Sequence, residues 1–120
     1  MHRSARHPEA GSATAELAAC LPVLVLVLAV AISAVGAAAA RVRLQDAARE
    51  AARAAARGDP ATAQRLVQQV APGARLDLST GAGEIVAVLH AKVHPLAGFL
   101  PAMSLEERAV AAVEPTGASP

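Results

Sequence analysis

The sequence predicts an α+β fold in which one long N-terminal helix precedes a small antiparallel sheet of two to three strands. Residues 17–40 contain no charged side chain. As a helix they extend about 36 Å, enough to cross a hydrocarbon core of about 30 Å. Residues 41–57 continue with a helical period, whereas the residues after 73 alternate with a period of two. We therefore expect a transmembrane helix, an amphipathic extension, a short second helix and the sheet, in that order.

The apolar helix contains Pro22, which removes one backbone hydrogen bond and clashes with the carbonyl four residues earlier. We expect a kink or local unwinding near Ala18. Further along, small side chains share one face that another helix could approach closely: Ala29, Ser33, Gly36 and Ala37. The alternative, that an alanine-rich helix produces this spacing by chance, stays open. Cys20, the single cysteine, is interpreted as a small apolar residue of the helix.

Residues 41–57 have the pattern of an amphipathic helix. Apolar residues fall on one side: Leu44, Ala48, Ala51 and Ala55. Polar and basic residues recur every four positions on the other: Arg41, Gln45, Arg49, Arg53 and Arg57. Two weak ion pairs are expected at three-residue spacing: Asp46 with Arg49, and Glu50 with Arg53. Because Gly58 favours a helix end, residues 12–57 are predicted to form one continuous helix.

Residues 58–114 are predicted to form a small α+β domain. Asp59 and Pro60 supply a capping residue and a proline at the first helical position, so a short helix is expected up to Val70. Alternating segments predict strands: residues 74–79 and 85–94, joined by a turn at 80–83, and residues 108–113. Phe99, the only aromatic residue, is expected to fill the core from a loop over residues 95–103. Residues 115–120 are expected to be a disordered tail.

Composition and motifs argue against catalysis and against nucleic-acid binding. Eleven basic and ten acidic residues give a net charge of +1, which provides no positive surface for nucleic acid. His90 and His94 fall on one face of the second strand, but zinc requires three or four protein ligands. Glu106, Glu107 and Glu114 surround no nucleophile and are interpreted as solvated. We therefore expect no enzymatic activity, no bound metal and no cofactor.

Glu16 directly precedes the apolar run and lies five positions after Gly11. A carboxylate beside a membrane-spanning helix is unfavourable unless it is paired, so Glu16 is interpreted as functional. The segment Gly11-Ser12-Ala13-Thr14-Ala15-Glu16 resembles the processing site of type IV pilin precursors. The resemblance implies that residues 1–11 are a cytoplasmic leader, that a prepilin peptidase cuts between Gly11 and Ser12, and that Glu16 then directs assembly.

The layout as a whole is similar to the TadE-like minor pilins of the tight-adherence (Tad/Flp) type IV pilus system. In that family a glycine, a serine or alanine and a glutamate five positions after the glycine precede an apolar segment with proline. Gly11 to Leu28 follow this pattern. Many TadE-type proteins have cysteines in the exported domain and this chain has none there, so a closely related pseudopilin and an alanine-rich actinobacterial variant both stay open. The resemblance implies four partners: a prepilin peptidase, a secretion ATPase, the Tad inner-membrane assembly platform and other pilin subunits.

The implied location is the cytoplasmic membrane, with a single span, a cytoplasmic N-terminus and an external C-terminal domain, or an extracellular pilus. The distribution of arginine opposes this orientation, because two arginines precede the span and five follow it. Two alternatives stay open. Ala38-Ala39-Ala40 has the small residues of a signal-peptidase site, which would release a secreted domain. The helix could also anchor a small interaction domain with no pilus role.

Overall fold

The computed structural model describes residues 9–113 and residue 115. Its elements in chain order are helix α1 (Glu9–Ala56), helix α2 (Pro60–Val70), strand β1 (Arg75–Gly81), strand β2 (Glu84–Val93), a 3₁₀ turn (Pro95–Gly98) and strand β3 (Met103–Ala112). The predicted α+β fold, with a long apolar helix and a small antiparallel sheet, is confirmed. Residues 1–8 of the predicted leader, Glu114 and residues 116–120 of the predicted tail lie outside the described residues.

Helix α1 contains 48 residues and is about 72 Å long at 1.5 Å per residue. It begins three residues before the predicted start and includes Gly11 and Ser12. Helical backbone continues through Pro22, so the local unwinding expected near Ala18 is not found. The amphipathic segment follows the apolar segment without a break, as predicted.

The two halves of α1 have different environments. Side chains 11–28 are all exposed. Eight side chains of the C-terminal part are buried: Leu44, Ala47, Ala48, Ala51, Ala52, Ala54, Ala55 and Ala56. They lie where α1 packs on α2 and on strands β2 and β3. The predicted apolar stripe is confirmed, and it is wider than expected because α1 contacts a helix as well as a sheet.

Gly58 and Asp59 form the connection between α1 and α2. Gly58 has a φ of 83°, a left-handed conformation in which glycine has no Cβ penalty. Its N–H donates to the carbonyl of Ala55 at 2.9 Å, and the Asp59 N–H donates to that of Ala54 at 3.1 Å. These two bonds define a Schellman motif, which satisfies carbonyls that a helix end otherwise leaves unpaired.

The Asp59 carboxylate caps α2, as the sequence predicts. It accepts a hydrogen bond from the Thr62 backbone N–H at 2.9 Å and another from the Thr62 hydroxyl at 2.5 Å. The side-chain bond from Thr62 first, then the backbone bond and the nearby Arg65 and Arg57, hold the pKa of Asp59 below its ordinary value. Ala63 and Val67 form the buried face of α2.

The sheet is an antiparallel meander in the order β1-β2-β3. Its first turn consists of Ala82 and Gly83 alone, because β1 and β2 pair up to Gly81 and Glu84. Both turn residues have positive φ, 51° and 77°, as a type I′ turn requires. The predicted four-residue turn at 80–83 is therefore too long by two residues.

Strand β3 begins at Met103, five residues before the predicted start. Its register extends from Val93 opposite Met103 to Glu84 opposite Ala112, so β3 pairs with the whole of β2. The predicted start was late because consecutive glutamates interrupt the apolar alternation. The inner face of the sheet contributes these side chains to the core: Leu76, Ile85, Ala87, Leu89 and Ala109. Leu89 and Val67 are the largest fully buried side chains.

Candidate functional site

Gly11 and Ser12 lie in the first turn of α1 and are exposed. The first four N–H groups of a helix have no acceptor within it, so opening this turn costs less than opening a helix interior. A Cβ added to Gly11 meets no atom within 4 Å, and Gly11 is not at a positive φ. Nothing within the described chain therefore requires glycine at this position.

Glu16 lies four residues after Ser12, on the same face of α1. Its side chain is exposed. No ion pair among residues 9–113 includes it. A carboxylate that forms no ion pair within the described residues needs another partner if it enters lipid.

The predicted helix-packing face of α1 lines a groove that it shares with a loop of the same chain. A groove of about 800 Å³ lies between α1 and the segment that follows β2. All four predicted packing residues line it: Ala29, Ser33, Gly36 and Ala37. The Ser33 hydroxyl donates to the Ala29 carbonyl at 2.8 Å, within the helix. Packing against a second helix at this face stays a prediction.

Phe99 lies at the rim of this groove and is 91% exposed. The expectation that it fills the core is wrong. The 3₁₀ turn takes the chain past the end of β2 and alongside α1, where it lines a groove with residues 26–37. The buried core lies elsewhere, against residues 44–56.

Arg41 and Glu107 form an ion pair that sequence reasoning missed. The Nε of Arg41 lies 2.8 Å from Oε1 of Glu107, whose side chain is 9% exposed. Glu107 lies on the inner face of β3 between Leu105 and Ala109, so the expectation that it is solvated is wrong. Glu107 stands midway between Leu105 and Ala109. In a strand this period of two places all three side chains on one face, which could have indicated that Glu107 faces inward. The pair attaches the start of the amphipathic segment to the sheet.

Two ion pairs predicted on α1 are present and weak. Arg49 lies 3.8 Å from Asp46, and Arg53 lies 3.9 Å from Glu50, with all four side chains more than half exposed. Exposed pairs of this kind contribute at most about 1 kcal/mol. They describe a solvated face of the helix rather than a binding site.

His90 lies on the outer face of the sheet between two carboxylates. Its Nε2 is 3.3 Å from Asp77 and its Nδ1 is 3.7 Å from Glu106. His94 lies beyond the end of β2, beside the groove. Within residues 9–113 no group of three or more His, Cys, Asp or Glu residues is arranged to hold a metal ion.

One helix of the described chain is long and apolar enough to cross a membrane, over Gly11–Ala56. None of the residues in the most apolar 18-residue stretch of this helix is buried. Exposed leucine and valine side chains in water are unfavourable over such an area, whereas lipid would solvate them. The N-terminal helix is compatible with a membrane anchor.

Comparison with known proteins places the same helix in a family. The family described as TadE-like protein matches residues 11–53. A protein of Mycobacterium tuberculosis named Apoptosis inhibitor Rv3655c is 40% identical over 100 residues, which are 83% of this chain and 78% of that protein. No solved structure matches the chain. The family match begins at Gly11 and ends within the buried part of α1.

Proposed function

Because the chain belongs to the TadE-like family, we propose that it is a minor-pilin-like structural subunit of a Tad/Flp-type IV pilus or a related secretion system. Family membership and the apolar N-terminal helix fit a Tad pilus-related subunit. The observation that carries the proposal is the extent of the family match. Residues 11–53 are part of one unbroken helix. The side chains at its start are exposed, and those buried near its end are mostly alanine.

In this proposal the exposed half of α1 spans the cytoplasmic membrane once. Gly11 lies on the cytoplasmic side, where a prepilin peptidase cuts between Gly11 and Ser12. The sheet domain lies outside, in the membrane-anchored subunit or in an extracellular pilus. Three features support the cleavage site: the glycine has no role in the fold, the bond is exposed, and the first turn opens at low cost.

After cleavage, Ser12 becomes an amino terminus with a positive charge. Glu16 lies one helical turn away and has no ion-pair partner among the described residues. A carboxylate and an ammonium offset each other's desolvation in lipid, whether they belong to one subunit or to neighbours. We therefore assign Glu16 to assembly with other pilin subunits on the Tad inner-membrane platform. The protein has a structural role, not an enzymatic one.

The mass of the mature protein tests this assignment. The full chain with a C-terminal tag is produced in a strain that contains a prepilin peptidase and purified from membranes. Loss of residues 1–11 is the expected result. Gly11→Leu should leave the precursor uncut, whereas Gly36→Leu, at a second helical glycine with open space around it, should be cut normally. Normal maturation of Gly11→Leu would contradict the cleavage site.

A second candidate is a small interaction domain that is secreted or stays anchored and has no pilus role. The relative in Mycobacterium tuberculosis is named an apoptosis inhibitor, and this name favours an interaction domain over a filament subunit. A cut after Ala40 would leave every buried residue of α1, from Leu44 onward, in the released domain. Loss of residues 1–40, or no cleavage at all, would favour this candidate.

A further inference from the structure

We propose that the segment from Pro95 to Met103 inserts into the membrane leaflet next to the sheet domain, so that lipid acyl chains fill the groove between this segment and α1. The inference rests on the proposed membrane-anchored subunit. It assigns a lipid-binding surface to a part of the chain that lies outside the anchor helix itself.

The groove lies along the apolar part of α1 that is proposed to cross the membrane. Its helical lining extends from Leu26 to Ala37, which is four to fifteen residues before Arg41. At 1.5 Å per residue, Ala37 lies about 6 Å and Leu26 about 22 Å from Arg41 along the helix axis, and the midpoint of a span over residues 17–40 lies about 19 Å from Arg41. A span formed by residues 17–40 places this depth within the hydrocarbon. Any segment that contacts α1 there is surrounded by lipid.

The segment from Pro95 to Met103 is apolar and largely uncovered. There is no Asp, Glu, Lys or Arg between Lys92 and Glu106. Phe99 is 91% exposed, Leu100 45% and Met103 55%. Connections on a water-facing surface are normally built from polar and turn-forming residues. Three neighbouring large apolar side chains that the fold leaves uncovered are instead typical of a surface that meets lipid or a partner.

The backbone of the segment is compatible with shallow insertion. Backbone polar groups in lipid must be hydrogen-bonded, which limits irregular structure at the bilayer centre. Pro95 and Pro101 have no N–H group to satisfy. The Phe99 N–H donates to the Leu96 carbonyl at 3.0 Å. These features suit the outer acyl region rather than the centre.

Continuity with the anchor favours lipid over a second protein chain as the occupant. The groove begins at Leu26, beside the exposed leucine and valine side chains of residues 23–28. The lipid that surrounds these side chains therefore extends into the groove without a boundary. Its helical floor is formed partly by small side chains, which leave room for an acyl chain.

Quenching of tryptophan fluorescence by brominated lipid tests the inference. The chain contains no tryptophan and no tyrosine, so a single introduced tryptophan provides the whole signal. Phe99→Trp in the otherwise unchanged chain is reconstituted in phosphatidylethanolamine–phosphatidylglycerol vesicles with bromine either high or low on the acyl chain. Leu24→Trp, on the exposed part of α1, is the membrane control. Val110→Trp, on the outer face of β3 and 51% exposed, is the water control. Leu100→Trp provides a second probe of the segment.

The expected result is blue-shifted emission from Phe99→Trp and Leu100→Trp, with stronger quenching by shallow than by deep bromine. Leu24→Trp should be quenched by the brominated lipids, and Val110→Trp should not be quenched. Quenching of Leu24→Trp without quenching of the loop probes would overturn the insertion and leave the anchor intact. Absence of quenching at all positions would overturn the anchor as well. A loop probe shielded from both bromine and an aqueous quencher would place protein, not lipid, in the groove.

Discussion

Gly11 and Glu16 are exposed residues on which the described fold does not depend. Added bulk at Gly11 meets open space, and Glu16 has no ion-pair partner among the described residues. Arg41 and Glu107 are the opposite case, since a buried carboxylate and its 2.8 Å contact belong to the packing of helix on sheet. Substitutions at the first pair should change processing and assembly, whereas those at the second should change stability.

Glu16→Ala tests the assembly role at the level of one side chain. The variant should insert and be cut like the unchanged protein, because alanine is more apolar and the bond at Gly11 is untouched. It should be depleted in purified pili, because the ammonium of Ser12 loses its countercharge. Subunit content per pilus, measured by immunoblot, gives the result. Glu50→Ala, an exposed glutamate further along α1, is the matched control. Equal pilus content for all three proteins would remove the reason to assign Glu16 to assembly.

Arg41→Ala should destabilise the sheet domain by about 1–3 kcal/mol, which is the cost of leaving a buried polar group without its hydrogen-bond partner. The remaining Glu107 carboxylate would be buried without its cation. Arg43→Ala, an exposed neighbour on the same helix, should change stability by less than about 0.5 kcal/mol. Chemical denaturation in detergent measures both.

Glu107→Leu separates the net stabilisation that the ion pair provides from the cost of leaving one buried charge unpaired. An apolar side chain on the inner face of β3 leaves no buried charge, so its effect should be smaller than that of Arg41→Ala. A larger loss for Glu107→Leu than for Arg41→Ala would mean that the carboxylate stabilises the domain independently of Arg41.

Local sequence determines the end of α1 and the start of α2. Gly58, Asp59 and Pro60 specify the end of α1 and the start of α2 through contacts within five residues. These elements could therefore be predicted. The start of β3 could not, because its first residues pair with the far end of β2 and their own pattern contains two glutamates. Ala82 at positive φ also has no local signature, since alanine rarely adopts this conformation.

The cap of α2 should make this helix sensitive to acid. The pKa of Asp59 is lowered in the fold, so the ionised carboxylate stabilises the folded state. That contribution is complete above the ordinary aspartate pKa and is lost as the pH falls through the lowered value. Asp59→Asn keeps a capping side chain that does not titrate. Wild type should lose α2 stability on acidification more steeply than the variant, as measured by hydrogen exchange of α2 amides. Parallel pH profiles would contradict this role.

The domain beyond Gly58 depends on α1 for its core. Most of the buried side chains of α1 are alanine, so helix and sheet approach closely and neither contributes much apolar volume alone. A fragment of residues 41–120 should unfold cooperatively on heating, and one of residues 59–120 should not, because it lacks eight buried residues. Thermal circular dichroism makes the comparison, and equal midpoints would contradict the packing of α1 on the sheet.

A point substitution in the longer fragment provides the control for this comparison. Ala51 is fully buried, so Ala51→Leu should overpack the contact and cost about 1–3 kcal/mol. Val42 is 57% exposed, and Val42→Leu should have little effect. If both variants unfold at the same temperature, the alanine contact is not tightly packed.

The burial of Glu107 and the exposure of Phe99 are decided by the whole molecule. Both depend on which part of α1 meets residues more than sixty positions later, and a single-sequence pattern does not contain that pairing. The processing motif from Gly11 to Glu16 could be identified because its residues are adjacent in the chain. The groove beside Phe99 could not, because its two sides are brought together only by the fold.

The unbroken course of α1 has an angular consequence. Each helical residue turns by about 100°, so the direction of Glu16 around the axis is fixed relative to the sheet that packs near Leu44. One residue inserted near Val23 would rotate Glu16 by about 100° around the helix axis. An insertion of seven residues would bring Glu16 back to within about 20° of its original direction. The number of residues in α1, independently of their chemistry, thus sets the angle between the membrane end of the subunit and its folded end.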